Sequence, residues 1–120
     1  MTNRAIVEKF ADLLYRQKKV ADAFNTYAAK HYIQHSPMLG DGTEEVISAL
    51  TPKFANPEAR FTVRRIIVDR DYAVVMIHTE TSGRQGAVVD IYRLGGGKIV
   101  EHWDIGAEFP DLPKSAHPLF

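Results

Sequence analysis

The chain has 120 residues, 15 basic and 15 acidic side chains that cancel to a formal net charge of zero, and no cysteine. That length suits one domain able to bury a core unaided, and the missing cysteine excludes a disulfide framework, a thiolate metal site and a cysteine nucleophile. Arg64-Arg65 and Lys18-Lys19 are isolated pairs, not the clustered positive charge that nucleic acid requires.

No apolar run approaches the roughly 18 residues of a membrane span. Residues 1–5 lack the apolar stretch of a signal peptide. With cysteine absent, as suits a reducing compartment, the expectation is a soluble cytoplasmic domain without nucleic-acid or membrane partners.

Ile6, Phe10, Leu13 and Leu14 recur at spacings of three and four and predict a first helix. Thr2 or Asn3 can cap it, and Glu8 and Asp12 suit its N-terminal half. A second, shorter helix is expected over Val20–Ala29, with Ala23, Phe24 and Tyr27 as its apolar face. His31-Tyr32-Ile33-Gln34-His35-Ser36-Pro37 is aromatic and β-branched, and reads as a brief strand that Pro37 turns into a loop. Gly40-Asp41-Gly42 is turn chemistry. Thr43 or Asp41 then caps a third helix with the buried stripe Val46, Ile47, Leu50 and Phe54, which Asn56-Pro57 ends.

From there the period changes to two. Phe61–Val68 and Tyr72–Thr81 are strands joined by Asp69-Arg70-Asp71, and Ser82–Gly86 is a loop. Ala87–Leu94 and Lys98–Ile105 are strands about the Gly95-Gly96-Gly97 turn. Four consecutive strands with short connections form an antiparallel meander. Helices followed by a bent sheet give an α+β fold, a cone-shaped barrel with three helices packed on one face of the sheet and a cavity between. Residues 107–120 hold Pro110, Pro113 and Pro118, which excludes regular helix or central strand. They also hold Phe109, Leu112, Leu119 and Phe120, so they are expected to dock as a tail on the domain (residues 1–106) or on a partner subunit.

Ionisable groups interrupt the closing hairpin. Alternation puts Val100, His102 and Asp104 on one face of the last strand, opposite Ile99, Glu101, Trp103 and Ile105. In the preceding strand it puts Val88, Asp90 and Tyr92 opposite Val89, Ile91 and Arg93. The period does not say which face lines the cavity. Aspartate is depleted in strands, so two in one hairpin mark either a wet face or a pocket. His102 and Asp104 could reach one ion, with His35 as a third ligand, but the spacing is no recognised ligand motif and no metal is expected. There is no Gly-x-Ser-x-Gly elbow. The glycine run precedes a strand, not a helix, and so is no phosphate loop.

The stretch Asp90-Ile91-Tyr92-Arg93 with Gly97-Lys98-Ile99-Val100-Glu101-His102-Trp103-Asp104 resembles the nuclear transport factor 2-like superfamily, and within it the SnoaL-like polyketide cyclases. Tyr32–Pro37 and Asp41-Gly42 support the resemblance, which covers nearly the whole chain before the tail. It implies that Asp90, His102 and Asp104 face the cavity. Against the superfamily's ketosteroid isomerases, Asp90 matches an inward aspartic acid kept protonated to donate to an oxyanion. Their general-base aspartate matches His35, and their oxyanion tyrosine falls near Leu14, so that donor is missing or replaced and ketosteroid isomerisation is not implied.

Against the SnoaL-like cyclases, Asp104 matches the acid/base aspartate of an intramolecular aldol closure that uses neither cofactor nor metal. The resemblance thus implies Asp104 as acid/base and His35 and His102 as proton partners or carbonyl donors. Asp90 would be an oxyanion donor or the orienter of a histidine. Phe10, Leu14, Tyr32, Phe54, Met76, His78 and Tyr92 are the expected substrate-binding wall.

The expected function is cofactor-independent cyclisation or isomerisation of a small, partly apolar carbonyl compound. The competing expectation is a non-catalytic ligand-binding or dimerisation module of the same fold. A hydrolase reading would need an arginine between Asp90 and Asp104, and Arg93 has the wrong parity. The alternation that sends Asp90 and His102 inward sends Val89, Ile91, Trp103 and Ile105 outward, an apolar patch that predicts a homodimer.

Overall fold

A computed structural model describes residues 1–120. Helix α1 (Asn3–Ala11) starts where the Thr2 hydroxyl accepts a hydrogen bond from the Ala5 N–H at 3.1 Å. Ile6, Val7, Phe10 and Ala11 form its buried stripe. The helix then widens into one π-turn, Asp12–Arg16, which the 3.6-residue period did not foresee. In an unbroken α-helix Leu14 follows Phe10 on the buried face. Widening the turn by one residue brings Tyr15 inward as well, and both are buried.

Helix α2 (Val20–Tyr27) passes directly into strand β1 (Ala28–Gln34), which begins three residues before the expected His31. Helix α3 (Thr43–Ala55) follows Gly42, whose φ of +95° suits glycine, with Glu44 and Glu45 in its first turn. Strands β2 (Ala59–Asp69), β3 (Tyr72–Thr81), β4 (Arg84–Gly95) and β5 (Lys98–Glu108) complete the chain. All three hairpins close with two-residue turns, Arg70-Asp71, Ser82-Gly83 and Gly96-Gly97, each containing at least one residue at positive φ. The expected loop Ser82–Gly86 is therefore mostly strand. At Gly86 a Cβ would stand 2.7 Å from the Ala107 carbonyl oxygen, so glycine there lets β4 run on against β5.

The sheet order is β1-β5-β4-β3-β2, antiparallel throughout except for the parallel β1–β5 pair. The fold is α+β, three helices against one face of a curved, unclosed five-stranded sheet. The core between them is aromatic. Phe10 meets Phe24 and Tyr92 edge-on, both at 5.2 Å between centroids, and Phe24 meets Tyr32 at 5.6 Å.

Beyond Glu108, Phe109 and Phe120 lie against His78 of the same chain, with ring centroids at 5.8 and 4.4 Å. The Arg64 guanidinium sits 4.4 Å over the Phe120 ring. Of the two basic pairs, Lys18 is held by the Ala59 carbonyl at 2.5 Å, and Arg65 reaches the Met76 sulfur at 3.3 Å.

Candidate active site

The helices and the inner sheet face enclose a cavity of about 380 Å³ in which 14 of 21 lining residues are hydrophobic. Leu14, Phe54, Tyr32 and Tyr92 belong to its wall, as do Asp90, His102 and Asp104. Five further residues of the wall with polar groups, Tyr15, Gln34, Ser36, Lys53 and Thr79, are outside the set expected from the sequence. A larger, shallower groove of about 930 Å³ lies between the π-turn and β2. Four of its charges pair with one another: Asp12 holds Arg16, and Arg60 pairs with Glu80, while Gln17 adds a bond to Asp12. That pairing pulls the Asp12 carboxyl down to about 2, chiefly through its bonds from Arg16 and Gln17.

Alternation sets the facing of each strand. On β4 the inward parity is Val88, Asp90 and Tyr92; on β5 it includes His102 and Asp104. Asp90 is 8% exposed and His102 7%. Burial is costly for such groups unless every polar atom is partnered, and here each atom is. Asp90 Oδ2 accepts from the Tyr15 hydroxyl at 2.5 Å, and the Tyr15 oxygen is 2.6 Å from the Tyr92 hydroxyl. Asp90 Oδ1 lies 2.8 Å from His102 Nε2. His102 Nδ1 lies 2.7 Å from Gln34 Oε1, which also accepts from the Ser36 backbone N–H at 3.0 Å. The imidazole stacks between Tyr92 and Tyr32, at 5.0 and 6.2 Å.

Asp104 stands directly opposite Asp90 across the β4–β5 ladder. It is exposed at the cavity mouth and makes no hydrogen bond or ion pair. One ligand atom from each of Asp90, His102 and Asp104 falls within 4.8 Å of the others. An ion there would have to break the Asp90–His102 bond, and His35 could not join it.

Burial pushes the hydroxyls of Tyr15, Tyr92 and Tyr32 well above the ordinary tyrosine range, and the charge of Asp90 adds to the rise in all three. They remain neutral donors at any physiological pH. The Tyr32 hydroxyl lies beside the Gln34 side chain, whose hydrogen bond works against that rise.

Four expected site residues lie elsewhere. His35 follows inward Gln34 by one position and so points to the outer face, where it stacks on Trp103 at 4.7 Å and bonds Glu101 at 2.7 Å. That bond and one from Arg93 hold the Glu101 carboxyl below its usual range. Met76 and His78 share the outer parity of β3, because Val75, Ile77 and Thr79 take the inner one. His78 is buried by the tail rings and bonds Gln85 at 2.9 Å and Arg64 at 3.4 Å. Phe10 is fully buried behind Tyr92 and does not reach the cavity. One residue beyond Leu14, the Tyr15 hydroxyl reaches into the site, where it donates to Asp90. No arginine lines the cavity, and Arg93 faces outward to Glu101 at 2.7 Å.

Solved structures share the fold at low identity. The SnoaL-like polyketide cyclase of Agrobacterium tumefaciens superposes with a TM-score of 0.72 and 16% identity, over 89% of this chain and 92% of that one. TsrD from Streptomyces laurentii gives 0.71 and 20%, over 88% and 91%. The putative ketosteroid isomerase from Kribbella flavida gives 0.74 and 18%, over 98% and 86%. No curated protein matches the sequence. The SnoaL-like domain matches residues 7–102, and with that span the chain belongs to the SnoaL-like family.

Proposed function

We propose that this cavity carries out cofactor-independent acid–base chemistry, cyclisation or isomerisation, on a small, partly apolar carbonyl compound. The observation that carries the reading is the division of labour between two carboxylates. Asp90 has both oxygens engaged, whereas Asp104 has neither, and both border one apolar cavity. His102 has both ring nitrogens engaged, so the free base is Asp104.

In this reading the Asp104 carboxylate takes the proton from the carbon next to the carbonyl. The enolate oxygen receives a hydrogen bond from the Tyr32 hydroxyl. In a cyclisation the enolate carbon bonds a second carbonyl carbon of the same molecule, and protonated Asp104 returns its proton to the new alkoxide. In an isomerisation it returns the proton to a different carbon. Both balance without an oxidant, reductant or metal. The apolar wall favours a substrate with a hydrocarbon body, and a volume of about 380 Å³ is at the lower end of the ~300–1,000 Å³ of ligand sites.

The test is turnover of a panel of diketones and unsaturated ketones, alongside ligand-induced thermal shift, for wild type and Asp104→Asn. Loss of turnover with the thermal shift retained supports the enzyme. Binding by both proteins, with turnover by neither, assigns the cavity to a ligand-binding module instead.

A further inference from the structure

Gln34 carries a consequence that its neutral side chain conceals. The Ser36 backbone N–H is a donor only, so the Gln34 atom 3.0 Å away must be the amide oxygen. The same oxygen is 2.7 Å from His102 Nδ1, so Nδ1 must carry a hydrogen. On the other side of the ring, Nε2 faces Asp90 Oδ1 at 2.8 Å, and Oδ2 is already occupied by the Tyr15 hydroxyl. Two lone pairs cannot face each other at that distance, so one further proton lies on the line between Nε2 and Oδ1. Asp90 and His102 together then hold two protons on three bonded atoms and carry no net charge.

We infer that Gln34 is a positioning residue: by fixing the proton on His102 Nδ1 it keeps the buried Asp90–His102 pair electrically neutral and leaves Asp104 as the one free negative charge of the cavity. The inference deepens the proposed function but concerns protonation, which is measurable without any substrate. The geometry of β1 supports it. Gln34 pairs in register with His102 across the parallel β1–β5 ladder, so the amide is delivered to the imidazole by the sheet itself. The other end of the amide, Nε2, is buried on the side of the Tyr32 hydroxyl. Turning the amide over would give that nitrogen an acceptor at Nδ1, but would set it against the Ser36 N–H. The retained orientation therefore keeps the amide oxygen facing both donors, the Ser36 N–H and Nδ1–H.

The experiment is nitrogen NMR of the intact chain labelled with 15N-histidine, read at neutral pH for wild type, Gln34→Leu and Gln34→Glu, with circular dichroism to verify folding. In wild type, His102 Nδ1 is expected at the position of a protonated, pyrrole-type nitrogen. In Gln34→Leu it is expected to move to that of a bare, pyridine-type nitrogen, as the ring keeps only the proton it donates to Asp90. In Gln34→Glu the pyrrole-type signal is expected to persist, because the new carboxylate also accepts from Nδ1. A pyridine-type Nδ1 in wild type, or an unmoved signal in a folded Gln34→Leu protein, overturns the inference. Neither outcome depends on whether Asp104→Asn retains turnover, so failure here is distinct from failure of the enzymatic reading.

Discussion

Asp90 and Asp104 are paired residues on neighbouring strands, one buried and bonded at both oxygens, the other exposed and bonded at neither. Asp104 is exposed and makes no bond that its substitution would break. Asp104→Asn is therefore expected to leave the urea midpoint unchanged. The same substitution should lower turnover of a carbonyl substrate by about 10²–10⁴-fold, the usual contribution of a positioned acid–base group. A variant with full turnover removes Asp104 from the chemistry.

The network behind Asp90 predicts an ordered pair of stability losses. Tyr15→Phe deletes the hydroxyl that links Asp90 to Tyr92 and should cost about 1–3 kcal/mol. Asp90→Leu strands both the Tyr15 hydroxyl and His102 Nε2 in the interior and should cost about 3–5 kcal/mol. Urea titration of the three proteins measures both, and a neutral Asp90→Leu would show that the pair is solvated rather than buried.

The buried tyrosines fix the behaviour at high pH. Tyr15, Tyr32 and Tyr92 are held neutral in the fold above the usual tyrosine value of about 10. Once the pH passes that value the unfolded chain loses these protons and the folded chain keeps them. Stability is then fully present below pH ~10 and falls as pH rises beyond it, by up to about 4 kcal/mol per pH unit for three groups. Tyrosinate absorbance tests this. With five tyrosines and three protected (5 − 3 = 2), the folded protein at pH ~10.5 should reach no more than two-fifths of its signal in denaturant, with the rest appearing together on unfolding.

A homodimer through the outer face of the sheet is a further proposal. Ile105 is 72% exposed there, beside half-buried Val89, Ile91 and Trp103, and Ile67 and Tyr72 extend the apolar surface. Ile105→Arg should shift the sedimentation coefficient from dimer to monomer at micromolar concentration, with the far-ultraviolet spectrum unchanged. Wild type sedimenting as a monomer there would rule the interface out.

The elements were legible because their periods are clean, and the misplaced residues share physical causes. On β3, Ala73, Val75 and Ile77 alternate with Val74 and Met76, so both faces read as apolar and nothing in the pattern puts Met76 and His78 outside. His35 draws attention as a titratable group, yet its parity opposes that of buried Tyr32, a signal that points to Gln34 instead. Tyr15 was illegible for a stronger reason. The π-turn adds a residue to the helical period, and no local residue choice announces it.

Gln34 and His102 stand 68 residues apart, joined across the parallel pair that adds β1 to the edge of the sheet. The Asp90–His102 bond needs only the last hairpin, but the bond that fixes the proton needs the first strand and the last together. Such distant pairings are the slow ones in folding. The cavity's acid–base character is thus a late acquisition. A refolding chain should regain most of its far-ultraviolet strand signal before it regains ligand binding, and a partly assembled molecule should hold an ordered hairpin with its chemistry still switched off.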